Sequence, residues 1–194
     1  HEKTIGRALD SIINQRGNFS LEILIYDDAS TDHTQDVIKR YVQKYPNTIK
    51  AALSNKNNYS LRIPPNPKFN FSRATGKYIA MCECDDYWID EKKLQKQVDM
   101  LESDESISIC ATRYRIGDMT GTNTSERTSE NFSTKSFSLE EFLVEWPNVQ
   151  TLTVMFRNQK VVWVPEKYYG LYRGSVFLFV HTMFYGKLRF LSDV

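Results

Sequence analysis

Apolar residues recur at helical spacing at Ile5, Ala8, Leu9, Ile12 and Ile13, which predicts an amphipathic helix over Lys3–Gln15. The apolar run Leu21–Tyr26 then reads as a strand that Asp27-Asp28 ends. Ser30-Thr31-Asp32 offers helix-capping chemistry ahead of Val37, Ile38, Tyr41 and Val42 at helical spacing, and Pro46-Asn47 closes that helix. Thr48–Leu53 is a short strand. Residues 54–67 are polar with three prolines, hence a loop, followed by a short helix toward Thr75. Gly76 precedes a second apolar run, Tyr78-Ile79-Ala80-Met81-Cys82, of the kind found in strands covered on both faces. A helix over Glu91–Glu102 and a strand over Ile107–Thr112 complete the regular half.

Strand and helix taking turns at this spacing predict an α/β fold, a mostly parallel sheet flanked by helices, in a single domain. Beyond it the pattern loosens. Gly117–Lys135 is rich in Ser, Thr, Gly and Asn and reads as an excursion. Leu139–Glu145 reads as a helix, Thr151–Arg157 as a strand, Val176–Tyr185 as a helix and Leu188–Leu191 as a last strand. The second half is thus a variable C-terminal part.

Composition narrows the functional classes. The 194 residues carry 25 basic and 24 acidic side chains, a net charge of +1 that gives no electrostatic reason to expect nucleic acid. The sequence has no run of 18 apolar residues, so no spanning helix is expected. Cys82 and Cys84, two apart on one strand, point the same way and suit a disulfide poorly, which favours a reducing compartment. A soft-metal site there would lack ligands beyond Cys110 and three scattered histidines, so buried thiols are expected instead.

The candidate chemistry lies in two acidic pairs, Asp27-Asp28 and Asp85-Asp86, each following a strand. In a parallel sheet both strand ends lie on one edge, where open α/β sheets bind ligands. Carboxylates crowded beside an apolar strand cost free energy unless a cation or donor groups neutralise them. One pair could accept hydrogen bonds from a base or ribose; the other could hold a hard divalent cation against a diphosphate. Taken alone, Asp27-Asp28 also reads as a turn and helix cap, and the segment Glu83–Asp86 as a solvated loop edge.

Residues Leu24–Asp32 resemble the DDxSTD segment of family 2 glycosyltransferases with the GT-A fold. Ala74–Ala80 with Cys84–Trp88 resembles that family's A-x-G-K-Y-I-A…DDYW segment, and Lys93–Gln97 the helix after it. Thr151–Asn158 is similar to the acceptor-side strand, and Gly174–Val194 to the segment carrying the base. The resemblance implies a Rossmann-like GT-A domain, with residues 1–112 as its nucleotide-binding half and 113–194 as its acceptor-side half. It implies inverting transfer from a nucleoside-diphosphate sugar to a hydroxyl of a saccharide or lipid-linked acceptor, in surface polysaccharide or glycolipid synthesis. By similarity Asp28 would bond the base, Asp27 support the turn, Asp85 bind the ribose and sugar side, and Asp86 ligate Mn²⁺ or Mg²⁺. A cytoplasmic location at the inner face of the membrane is implied as well.

Two departures stand out. The family's first strand would lie ahead of His1, and without it the sheet would have a gap. Where the family carries an aspartate base after a glycine, this chain has Gly174-Ser175. A serine cannot accept the proton at neutral pH, so the alternative is a nucleotide-sugar binding module that no longer transfers. Glu166 and Asp193 are the nearest acidic candidates in sequence; His181, among Phe177, Phe179 and Phe184, reads as a core or surface residue. Trp88 and Tyr87 either pack under the sugar or fill the core. Val176–Phe184 either contacts a membrane surface or buries a helix face, and Lys39, Arg40 and Lys44 form a solvated basic surface.

Overall fold

Apolar side chains at Ile23 and Ile25 alternate with half-buried Leu24 and Tyr26, so the segment Ile23–Asp27 forms a strand, β1, with one well-buried face. A computed structural model supplies the structure, describing residues 1–63, 66–117, 124–127, 135–159 and 174–192. Ahead of β1 lies α1 (Ile5–Ile13), whose buried Ile5, Ala8 and Leu9 face the strand layer. After it comes α2 (Thr34–Lys44), whose first amide, that of Thr34, donates to Asp32 Oδ1 at 3.0 Å. β2 (Ile49–Leu53) runs parallel to β1, Ile23 opposite Ile49. Ile5, Leu9, Ile23, Ile25, Val37, Ile38 and Ile49 form one core cluster between these elements.

The rest of the chain builds a separate mixed sheet. β3 (Tyr78–Ala80), β4 (Ile107–Ala111), β7 (Ser136–Phe137), β8 (Val154–Arg157) and β9 (Lys187–Phe190) lie in the order β3-β8-β4-β9-β7. Only β4 and β9 are parallel; β3 with β8, β8 with β4, and β9 with β7 are antiparallel. A hairpin of β5 (Tyr114–Gly117) and β6 (Thr124–Arg127) stands apart. The α/β class with flanking helices therefore holds, but the mostly parallel sheet expected from alternation does not. β8 runs against both of its neighbours, β3 and β4, which makes the sheet mixed.

β4 is buried along its whole length, covered by α3 (Lys93–Ser103) on one side and α5 (Gly174–Met183) on the other. β3 is different. The apolar run 78–82 leads to the expectation of a doubly covered strand, yet only three residues pair and all are half-buried, because one edge of β3 has no neighbouring strand among the described residues. Beyond Ala80 the chain leaves strand geometry, so Cys82 and Cys84 do not share a side. Cys82 packs with Trp88, Leu94 and Met155, and Cys84 with the α1–β1–α2 core. All three cysteines are free thiols.

The short helix expected before Thr75 is a single π turn (Asn66–Asn70) running into a 3-10 turn (Phe71–Arg73). The helix α4 (Leu139–Glu145) opens on a capping box: the Ser138 hydroxyl accepts from the Glu141 amide while the Glu141 carboxylate accepts from the Ser138 amide.

Candidate active site

The loop after β1 is organised from inside by Asp27, which is only 4% exposed. Its Oδ1 accepts from the Ser30 amide (3.0 Å) and Gln35 Nε2 (2.8 Å), and its Oδ2 from the Ser30 hydroxyl (2.5 Å). These bonds turn the chain so sharply that Ala29 sits in the left-handed region, φ 62°. Asp28 projects to the other side. Its Oδ1 accepts from the Asn58 amide (2.7 Å), Asn58 Nδ2 (3.2 Å) and the Tyr26 hydroxyl (3.3 Å); Oδ2 accepts from the Tyr59 amide (2.8 Å). Burial pushes the Asp28 carboxyl upward, but the Asn58 and Tyr59 donors outweigh it and hold the group below the usual carboxylate range. Each carboxylate oxygen offers about two acceptor sites, and Oδ2 takes only the Tyr59 amide, so it keeps one for an incoming donor.

The second acidic segment is a turn. The Asp86 amide donates to the Glu83 carbonyl at 3.1 Å, and the chain swings Glu83, Asp85 and Asp86 outward. Burial, then the charges of Asp86 and Asp85, push the Glu83 carboxyl up; burial, then Asp85, push up Asp86. No ion pair within the described residues relieves any of the three. The segment lies beside the end of β1. Cys84 packs on the Ile23–Ile25 core, and its thiol is pushed up by burial, then by Asp85, with Asp27 and Glu83 adding to it. Asp27 and Asp85 thus both act on the Cys84 thiol, which sets the acidic turn beside the loop after β1.

What fastens this turn was not legible as motif. Ser11 Oγ accepts from the Trp88 amide at 3.1 Å, Gln15 Nε2 donates to the Asp90 carbonyl at 2.7 Å, and Gln15 Oε1 accepts from the Leu94 amide at 3.0 Å. The Arg16 amide adds a bond to Glu91 O at 2.7 Å. The signal available was the pair Ser11 and Gln15, four apart, the first on α1 and the second just past its end. Trp88 fills the core: it is 7% exposed, and its Nε1 donates to Leu152 O at 3.0 Å. Beneath it the buried Lys93 lies 4.4 Å over the indole ring, with Nζ donating to Gln97 Oε1 at 2.6 Å. Gln97 in turn donates to Thr153 O at 2.9 Å. Tyr87 stacks under the Arg7 guanidinium, 4.3 Å away.

The acceptor-side readings fare differently. Ser175 sits half-buried in the first turn of α5, with no hydrogen bond to either acidic pair. Glu166 and Asp193 lie outside the described residues. His181 stacks on Phe177 and meets Tyr185 edge-on. Leu178, Phe179 and Met183 bury one side of α5 in the sheet core, so this helix has a packed face, with Phe184 and Tyr185 exposed beyond it.

Among the described residues no three His, Cys, Asp or Glu side chains gather closely enough to hold a metal on their own. The donor set still fits a hard cation. Magnesium is ordinarily held by one or two carboxylates together with substrate phosphate oxygens, and Asp85 and Asp86 supply hard oxygen donors with no cationic partner among the described residues.

Comparison with known proteins follows the same lines. The family model described as glycosyl transferase family 2 matches residues 1–177. An uncharacterised protein of Mycobacterium tuberculosis is 35% identical over 158 residues, 81% of this chain and 44% of that one. The Escherichia coli protein WfaP, named as a UDP-Glc:alpha-D-GlcNAc-diphosphoundecaprenol beta-1,3-glucosyltransferase, is 27% identical over 198 residues, 89% of this chain and 74% of that one. The minor teichoic acid biosynthesis protein GgaB of Bacillus subtilis is 33% identical over 92 residues, 44% of this chain and 9% of that one. The chain spans less than half the length of the mycobacterial relative.

Proposed function

The chain belongs to glycosyl transferase family 2, and we propose that it moves a sugar from a nucleoside-diphosphate sugar to an acceptor hydroxyl with inversion. The observation that supports this reading is that Asp27 and Asp85 both act on Cys84 beside the end of β1, with Asp85 and Asp86 on a turn that has no counter-ion among the described residues. A polyanionic donor with a divalent cation balances that turn better than a neutral ligand would.

In this reading Asp28 uses the remaining acceptor site of Oδ2 for a donor group of the nucleotide base, while Asp27 holds the loop that aims it. Asp85 accepts from the ribose hydroxyls, and Asp86 is the protein's ligand for Mn²⁺ or Mg²⁺. When bound, that cation supplies Lewis-acid stabilisation of the departing diphosphate. α1 keeps the turn in place through Ser11 and Gln15, so the carboxylates meet the donor without prior rearrangement. By analogy with the printed name of WfaP, a lipid-linked saccharide acceptor is proposed. No helix among the described residues is long and apolar enough to cross a membrane. Exposed Leu143, Val144, Trp146 and Phe184 support a peripheral contact at the inner membrane face.

Calorimetric titration with nucleoside diphosphates tests this reading: binding requires Mn²⁺ or Mg²⁺ and is lost in Asp86→Ala. Unchanged affinity in that variant would overturn the assignment of Asp86.

A second reading, a nucleotide-sugar binding module without transfer, is favoured by one observation: Ser175 occupies the base position of the resemblance, with no carboxylate among the described residues bonded to it. Comparing the native chain with Ser175→Asp decides between them. Turnover by the native chain sustains transfer with a base elsewhere; turnover only in Ser175→Asp makes the native protein a binder.

A further inference from the structure

Between α4 and β8 the chain forms a strap, residues 146–153, that leads to the acidic turn. At its far end the Trp88 indole donates to Leu152 O at 3.0 Å, and Gln97 Nε2 donates to Thr153 O at 2.9 Å. The Thr112 amide, just past β4, also donates to Thr153 O, at 3.2 Å, and the Met81 amide after β3 donates to Val154 O at 3.3 Å. The strap therefore ends at the carboxyl edge of β3 and β4, where an open α/β sheet places its ligands. Within it the Thr153 amide and hydroxyl both donate to Gln150 O, at 3.0 and 2.6 Å, which fixes the backbone at Gln150.

The near end is strained. Trp146 closes α4, its amide donating to Phe142 O at 2.9 Å, with φ 46° and ψ 61°. Helices that end in this left-handed conformation mostly do so on glycine, and a residue ahead of a proline prefers extended backbone. A bulky side chain there costs free energy, and strain of this kind collects at binding sites. Core burial does not explain the choice: Trp146 is 54% exposed, with a ring contact to the buried Phe142 at 5.6 Å between centroids. Two residues on, a chain of side-chain amides begins. Asn148 Nδ2 donates to the Tyr114 hydroxyl at 2.6 Å, and Gln150 Nε2 donates to Asn148 Oδ1 at 2.8 Å. Asn148 and Gln150 are exposed, and each amide nitrogen keeps a second N–H, and Gln150 Oε1 its lone pairs, without a partner among the described residues.

An exposed indole followed within four residues by open amide donors and an open acceptor fits one ligand chemistry. A pyranose presents a face of C–H groups that packs on an aromatic ring, and a rim of hydroxyls that both donate and accept. The strap contains no lysine or arginine, and Glu145 ahead of it is paired with Lys135, so an uncharged polyol fits where a phosphate does not. Four residues of chain reach at most about 14 Å, the scale of a short saccharide. We propose that Trp146, Asn148 and Gln150 form a saccharide subsite, the Trp146 ring under one pyranose and the two amides on its hydroxyls. Its role as the seat of the acceptor rests on the transfer reading; the strap then leads from the sugar to the turn of Asp85 and Asp86 through Leu152 and Trp88. Exposed Leu143 and Val144, on the preceding turn of α4, keep the side that meets a membrane.

Proton–nitrogen NMR of the chain of 194 residues, titrated with the methyl glycosides of glucose, galactose and N-acetylglucosamine, tests the subsite. At least one glycoside, taken to about 50 mM to reach weak contacts, should saturably move the Trp146 indole signal and the side-chain amide signals of Asn148 and Gln150. The Trp88 indole signal, bonded inside to Leu152, should stay in place. Trp146→Gly suits the left-handed backbone and should weaken that glycoside about tenfold. Gln150→Ala changes an exposed side chain, keeps the fold whatever Trp146→Gly does, and should weaken it about fivefold. The proposal is overturned if no glycoside moves the Trp146 signal, or if either folded variant binds as tightly as the native chain. It is equally overturned if vesicles of phosphatidylcholine and phosphatidylglycerol move that signal and the glycosides do not, which makes the ring a lipid contact. The titration contains neither nucleotide nor metal, so a negative result strikes the subsite and leaves the donor-side assignment standing.

Discussion

Asp27 and Asp28 are neighbours with opposite duties, and the difference lies in what reaches their oxygens. Asp27 is enclosed and spends its bonds on Ser30 and Gln35; Asp28 spends most of its own on Asn58 and Tyr59 and keeps one site open. Between them and Ser30, Ala29 adopts φ 62°, a conformation that costs an L-residue with a Cβ about 1–2 kcal/mol. Ala29→Gly removes that strain but frees the unfolded chain, so a net gain of about 0.5–1 kcal/mol is expected, read as a higher denaturant midpoint at unchanged slope. At Asp86 the sign is different. Burial and Asp85 raise its folded-state carboxyl, so its contribution to stability is present at acid pH and is lost as pH rises through that raised value. Asp86→Asn should therefore raise the melting temperature of the ligand-free protein at pH 7 while abolishing the stabilisation given by Mn²⁺ with nucleoside diphosphate. A lower melting temperature in that variant would show that the carboxylate is structurally needed.

At the scale of elements, the acidic turn is held by α1 and α3 rather than by its own sequence. Gln15→Ala strips bonds from Asp90 O and the Leu94 amide and should cost about 1–3 kcal/mol, with weakened nucleotide binding as the accompanying readout. Below the turn, burial drives the Lys93 ammonium down to about 8 from 10.5, the nearby Cys110 and Cys82 opposing it. A depressed amine favours the folded state above its unfolded value and loses that contribution as pH falls through about 8, so stability should climb from pH 7.5 toward 9. Burial raises the Cys82 and Cys110 thiols to about 12, which works the other way above pH 9. The melting temperature should thus peak near pH 9, and Lys93→Met should flatten the rise but keep the fall. A rise that persists in Lys93→Met would assign it to another group.

These elements also show what a sequence reading reaches. β1, α2 and α3 announce themselves because apolar spacing of two or near four is a local property. Strand direction is not local, and nothing in Thr151–Arg157 says that β8 will run against both β3 and β4. The run after Gly76 looked doubly buried because its composition is apolar, whereas its pairing depends on a neighbour that composition does not reveal. The acidic pairs were legible as motifs; Lys93, Gln97 and Gln15 were not, since their importance comes only from where α1 and α3 cross the turn.

For the whole molecule, the acidic turn lies beside the loop after β1, and the chemistry proposed depends on that meeting. A family 2 glycosyltransferase chain with this arrangement should treat its two loops as a single site, with the nucleotide spanning from Asp28 to Asp86. The most direct measurement is the affinity of a nucleoside diphosphate for the native chain, Asp28→Ala and Asp86→Ala, each with and without Mn²⁺. Loss of binding in both variants, with Mn²⁺ dependence in the native chain, is the predicted result. Binding that survives Asp28→Ala undiminished, or that ignores Mn²⁺ altogether, would contradict the account.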